Sequence, residues 1–139
     1  MKKHQFLAMS IPHGVQVLVE GYGMELVVDV LGESIVTTED DNSINTVLPI
    51  LHPLSDLTKP ITHKGETFVP IHRLLKNSCF DLSLMSEKEI FEYGDDYKTT
   101  ELIHLYELLL YLEWHFDIAN LIESGDAIDV NTLETNPYA

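Results

Sequence analysis

Two runs of β-branched residues flank a glycine-rich turn near the N-terminus, and this pattern narrows the available folds more than any other feature. Val15-Gln16-Val17-Leu18-Val19-Glu20 and Met24-Glu25-Leu26-Val27-Val28-Asp29-Val30 read as strands, with Gly21-Tyr22-Gly23 as the turn of a hairpin. A second turn at Gly32-Glu33-Ser34 leads into Ile35-Val36-Thr37-Thr38, and Glu39 to Ser43 reads as a solvated loop. The N-terminal third is predicted to be an antiparallel meander.

Leu48-Pro49-Ile50-Leu51-His52-Pro53 fits neither a central strand nor a helix interior, because each proline removes a backbone donor and fixes its own φ. It is expected to run extended along an edge. Ile61-Thr62-His63 and Glu66-Thr67-Phe68-Val69 form a second hairpin about the Lys64-Gly65 turn, and Pro70 opens a helix over Ile71 to Lys76. Ser86 with Glu89 three residues on is a capping-box pattern, which predicts a short helix from Glu87 to Tyr93 ahead of Gly94-Asp95-Asp96. Beyond it, Leu102, Leu105, Leu109, Leu112, Phe116 and Ala119 alternate by three and four, predicting one long helix from about Thr100 to Glu123 with Gly125 as its stop. Trp114 and Tyr111 belong to its core face. Ala127-Ile128-Asp129-Val130 returns as a last strand.

At 139 residues the chain has the size of one domain and should bury about two thirds of its unfolded surface. No linker or internal repeat divides it. Residues 1–139 are therefore read as a single α+β domain, an N-terminal β meander with C-terminal helices, the longest packed on the sheet. The 23 acidic against 8 basic side chains leave a formal net charge of −15, which repels phosphate backbones and anionic bilayers. Neither direct nucleic-acid binding nor membrane association is expected. Cys79 is the single cysteine and cannot form an internal disulfide, which fits a reducing cytoplasm. Lys2 and Lys3 ahead of Phe6 to Ile11 faintly resemble an export signal, but the apolar run is short and Pro12 closes it.

Seven histidines invite a metal, yet no pair stands at zinc-motif spacing. His104 and His115 share a helix face but would lie about 16 Å apart. His115-Phe116-Asp117 could present two ligands only if the helix broke there, since residues two apart on a helix diverge. Asp40-Asp41-Asn42 lacks the glycine and the final glutamate of a calcium loop. Ser34, Ser55, Ser78 and Cys79 have no glycine-flanked elbow around them. Gly21-Tyr22-Gly23 lacks the third glycine and the helix of a dinucleotide fingerprint. No catalytic residue, metal ligand or cofactor is assigned from sequence.

Charge is segregated along the chain. Residues 4–51 hold seven acids and neither Lys nor Arg, and residues 81–139 hold fourteen acids against Lys88 and Lys98. Between them lies a basic island, in which His52, Lys59, His63, Lys64, His72, Arg73 and Lys76 face only Asp56 and Glu66. These residues form the candidate interaction surface, unless the island serves to attract the acidic parts within the fold. Imitation of nucleic acid by carboxylates is weakened because Glu101, Glu107 and Glu113 step round a helix by about 240° each time.

Ile11-Pro12-His13-Gly14, the stretch from Leu48 to Ile71, and the stretch from Trp114 to Thr132 resemble a family of small proteins encoded by phages, prophages and mobile elements of Bacteroidota. The family has no assigned activity, so the resemblance implies genetic context and no residue roles. Members often read Gly-Leu-Ala-Ile-Asp where this chain has Gly125-Asp126-Ala127-Ile128-Asp129, which puts a charge where an apolar residue is usual. Taken together, the expected function is a phage-type accessory protein acting by non-covalent binding to a protein partner, a counter-defence or anti-CRISPR-like inhibitor of a host protein or nuclease complex. Two alternatives stand beside it. One is a virion or assembly component that is a homo-oligomer through its long helix or an edge strand. The other is a small nucleotide binder or hydrolase lined by His52, His63, His72 and Arg73.

Overall fold

The computed structural model describes residues 1–77, 82–97 and 105–139. In chain order the elements are α1 (Lys3–Ser10), β1 (Gln16–Val19), β2 (Gly23–Leu31), β3 (Ser34–Thr37), β4 (Asp41–Ser43), β5 (Val47–Leu51), β6 (Ile61–His63), β7 (Glu66–Phe68), α2 (Pro70–Asn77), α3 (Glu87–Tyr97), α4 (Leu105–Glu113), α5 (Leu121–Ser124) and β8 (Ile128–Asp129). The fold class is α+β, an antiparallel-rich N-terminal sheet with hairpins, followed by helices. The chain forms two compact units, Met1–Pro53 with Leu109–Pro137, and Leu54–Leu108 with Tyr138–Ala139. No helix among the described residues is long and apolar enough to cross a membrane.

The first unit is built on a sheet in the order β4-β3-β2-β1-β5-β8. Register assigns the faces, because residues directly opposite in a ladder point the same way. Val17 opposite both Glu25 and Pro49, Val19 opposite Val47, and Val27 opposite Thr37 make the inner face, and all seven are buried. Phe6 and Leu7 of α1 are also fully buried. That helix was not expected, because its apolar positions are few and sit beside a proline turn.

Two strands depart from expectation. Asp41–Ser43 is not a loop but the outer strand β4, paired with β3 through Val36↔Asp41 and Ser34↔Ser43. The Thr37 amide donates to the Asp40 carbonyl at 2.9 Å and the Asn42 amide group donates to Thr37 Oγ1 at 3.1 Å. These bonds close the turn on backbone and polar groups alone, so hydropathy carries no sign of it. β5 is not an edge along its whole length, since β8 adds to it in parallel through Ile50↔Ile128 and Leu51↔Asp129. The prolines are accommodated because that pairing begins only after Pro49 and ends before Pro53.

In the second unit, β6 and β7 form the expected hairpin, with Lys64 at φ 49° and Gly65 at φ 79°. Two successive positive φ values are those of the tight turn that matches strand twist, and glycine takes one at no steric cost. Helix α2 starts at Pro70 as predicted, burying Ile71, Leu74 and Leu75. At the start of α3, Ser86 Oγ accepts the Glu89 amide at 3.2 Å. That helix does not stop at Gly94 but runs through it. A β-carbon there would lie 2.5 Å from Thr58 Cγ2 and 3.5 Å from Ile71 Cγ1, so the glycine marks a close approach and not a helix end.

Candidate functional site

Residues 11–14, 48–53 and 114–132 meet in the first unit. The meeting point is made by the end of α4, where the predicted long helix breaks; residues 100–104 of that prediction, with His104, lie outside the described residues, as do Cys79 and Lys98. The His115 amide donates to the Leu112 carbonyl at 3.1 Å and the Phe116 amide to the Tyr111 carbonyl at 2.8 Å, with His115 left-handed at φ 59°. This is the Schellman termination, in which a left-handed residue lets two amides cap the last carbonyls. The apolar contact that accompanies such a cap is present too, Phe116 meeting Tyr111 edge-on with ring centroids 6.0 Å apart. Glycine normally fills the left-handed position, which is why the spacing alone predicts an unbroken helix.

Past the break the chain is extended beside the end of β5. The His52 amide donates to the His115 carbonyl at 2.8 Å, and the Asp117 amide donates to the His52 carbonyl at 2.9 Å. His52 and Phe116 thus form a parallel bridge, with their rings 5.5 Å apart and tilted by 38°. His115 Nε2 lies 2.8 Å from the His13 carbonyl oxygen. A carbonyl can only accept, so Nε2 carries the proton. Asp117 spends both carboxylate oxygens on the start of α5, accepting the Leu121 and Ile122 amides at 2.8 Å each. His52, His115, Phe116 and Asp117 are all buried.

This cluster ties residues 13, 52 and 115–117 together, so the break that would let His115 and Asp117 act as ligands does occur. Their hydrogen-bonding atoms at these contacts serve the backbone instead. Among the described residues, no group of three His, Cys, Asp or Glu side chains is placed to hold a metal ion. Trp114 and Tyr111 are buried, as expected. Gly125 is the left-handed stop predicted from sequence, at φ 81°, although it ends α5 and not one continuous helix. Asp126 follows it, accepting from Ser124 Oγ at 3.0 Å. Nearby, Lys3 Nζ donates to the Ile44 carbonyl at 2.9 Å. Burial pushes the Lys3 ammonium below the ordinary lysine value, and the Asp126 carboxylate opposes that shift.

The basic island divides by burial. His52 is buried in the first unit and His63 is buried in the second, so these two are corrected from surface to interior positions; strand alternation places His63 with Ile61, and His52 is covered where it bridges Phe116. Lys59 is exposed, 3.7 Å from the buried Asp56 carboxylate. Lys64 is exposed in the hairpin turn, its amide donating to the Tyr138 carbonyl at 2.7 Å. Arg73 pairs with Glu66 and stacks over the Phe68 ring with its guanidinium carbon 3.6 Å from the centroid. His72, Arg73 and Lys76 lie on the polar side of α2. Of the set proposed for a nucleotide, His52 and His63 are buried, and His72 and Arg73 lie on α2.

What sequence reasoning missed is the other side of the meander. Leu18 opposite Met24 and Leu48, Gln16 opposite Leu26, and Leu31 opposite Ser34 point away from the inner face. A strand apolar on both sides is ordinarily covered on both, and the signal was present in Met24, Leu26 and Val28 alternating with Glu25 and Val27. Here Met24, Val28 and Leu31 are exposed. Compared with protein-family models, curated proteins and solved structures, the chain matches none.

Proposed function

We propose that the protein acts by stoichiometric, non-covalent binding to a cationic protein partner, as a phage-type accessory factor of the counter-defence kind working in the host cytoplasm. One observation carries this reading: the first unit holds thirteen acidic side chains against Lys2 and Lys3 alone, with large apolar side chains exposed among them. Acids steer a cationic partner and apolar area holds it once docked. The immobilised protein, washed with host lysate, is expected to retain a partner at low salt and release it as salt rises. Light scattering of the purified pair then gives a fixed stoichiometry. Failure to retain any protein at either salt ends the proposal.

A second reading, a self-assembling component, is favoured by Leu105, Tyr106 and Leu109, exposed together on α4. The outer strands β4 and β8 are short and carry acids, which blunts pairing through an edge. A strict monomer in light scattering at high concentration removes this alternative.

A further inference from the structure

We infer that the outward face of β1, β2 and β3 is the docking surface, and that its occupant is an amphipathic helix whose polar side is cationic. This rests on the binding reading above and assigns that binding a place and a shape. Met24, Val28 and Leu31 stand 53%, 45% and 63% exposed along β2, and Leu18, Leu26 and Val36 beside them are only half covered. Met24, Leu26 and Val28 reach this face by strict alternation, and a bulge then resets it: the ladder pairs Val27 with Thr37 and Asp29 with Val36, leaving one extra residue on β2. The bulge therefore puts Leu31, opposite Ser34, on this face and turns Val30, opposite the buried Ile35, away from it.

The rim supplies the charge argument. Asp29, Val36 and Asp41 lie opposite one another across β2, β3 and β4, so two carboxylates flank Val36 on this face, and Asp29 stands beside Val28 and Leu31. Glu20 and Glu33 are exposed at the turns that end β1 and β2. No Lys or Arg occurs in residues 4–51, so the meander contains nothing to neutralise this rim. A partner that covers the leucines and the methionine must therefore bring its own cations, or leave desolvated carboxylates unpaired.

Dimensions select a helix. From Met24 to Leu31 the strand covers about 23 Å at its usual rise, the length of a helix of about fifteen residues. Addition of a strand is the less suitable mode, because the meander's outer strand is only Asp41–Ser43 and is acidic.

The test uses the full chain and three synthetic peptides of fifteen residues: a Leu/Lys amphipathic helix, a Leu/Glu peptide of the same spacing, and a scrambled Leu/Lys peptide. Fluorescence anisotropy reads affinity, and backbone amide shifts read location. The Leu/Lys helix is expected to bind, with shifts centred on Leu18, Met24, Leu26, Val28, Leu31 and Val36, and both other peptides to bind at least tenfold more weakly. Val28→Lys and Leu31→Lys, both at exposed positions and checked for folding by circular dichroism, should each weaken it tenfold or more. Phe91→Lys, at an exposed apolar position of α3, should leave it unchanged. If the peptide binds but the shifts fall elsewhere, or the face variants bind as well as wild type, this surface is wrong while the binding reading stands. Equal binding of the Leu/Glu or scrambled peptide overturns the charged-helix occupant, and no binding of any peptide, with no cationic partner retained from lysate, removes both.

Discussion

His115 illustrates how one residue redirects a chain. A left-handed conformation costs a side-chain-bearing residue about 1 kcal/mol relative to glycine, and burial with the Nε2 bond to His13 offsets that cost. In a helix alanine is the better residue, but at this position the order should invert. His115→Ala is expected to be less stable than His115→Gly by about 1 kcal/mol in urea denaturation, and the opposite order would show that the left-handed geometry does not limit stability there. Asp117 holds two amides at the start of α5. Asp117→Ala should cost about 2 kcal/mol, with Asp117→Asn recovering part of it by keeping one acceptor. Lys3 adds a dependence on pH. Its folded-state affinity for protons is lowered by burial, so the unfolded chain binds more protons between the folded value and the ordinary 10.5. Stability from this residue therefore grows with rising pH in that alkaline window. The melting temperature of wild type relative to Lys3→Met should rise from neutral pH towards it. Gly125 could be read from sequence because glycine announces a left-handed stop; His115 could not, since nothing in its side chain does.

Among the elements, those specified by local chemistry were readable and those specified by tertiary pairing were not. The Lys64-Gly65 hairpin, the Pro70 start of α2 and the Ser86 cap of α3 each follow from a turn, ring or hydroxyl that acts within a few residues. Strand β4 and the addition of β8 to β5 depend on backbone groups meeting across the chain, and α1 depends on a core it does not itself contain. Two members of the candidate surface, His52 and His63, are interior for a related reason: charge along the chain is visible, whereas the pairing that covers a side chain is not. Gly94 offers a direct test of close packing. Alanine there gains about 1 kcal/mol of helix propensity but meets Thr58 Cγ2 at 2.5 Å, an overlap that costs about 1–3 kcal/mol in similar cases. Gly94→Ala should be destabilising, and Thr58→Ser, which removes that methyl, should restore part of the loss in a double-mutant cycle.

For the molecule as a whole, 23 acids against 8 bases set the background against which binding operates. Self-repulsion opposes compaction and is screened by salt. Raising ionic strength from about 0.02 to about 0.15 M, across which the screening length shortens to roughly 8 Å, should raise the melting temperature while weakening the binding of any cationic partner. A melting temperature that falls, or an affinity that does not, would point away from electrostatics as the driving term.

The first unit is assembled from the two ends of the sequence, Met1–Pro53 and Leu109–Pro137, and β8 closes onto β5 only at Ile128. During synthesis the ribosome therefore releases β1 to β5 well before the residues that finish that layer exist. Until they emerge, the nascent sheet holds an open flank at Ile50–His52, and a chain stalled in between is a template for joining another copy of itself. The interval between making β5 and making β8 is thus a period of vulnerability written into gene order, one that a chaperone or a slow decoding rate can lengthen or protect.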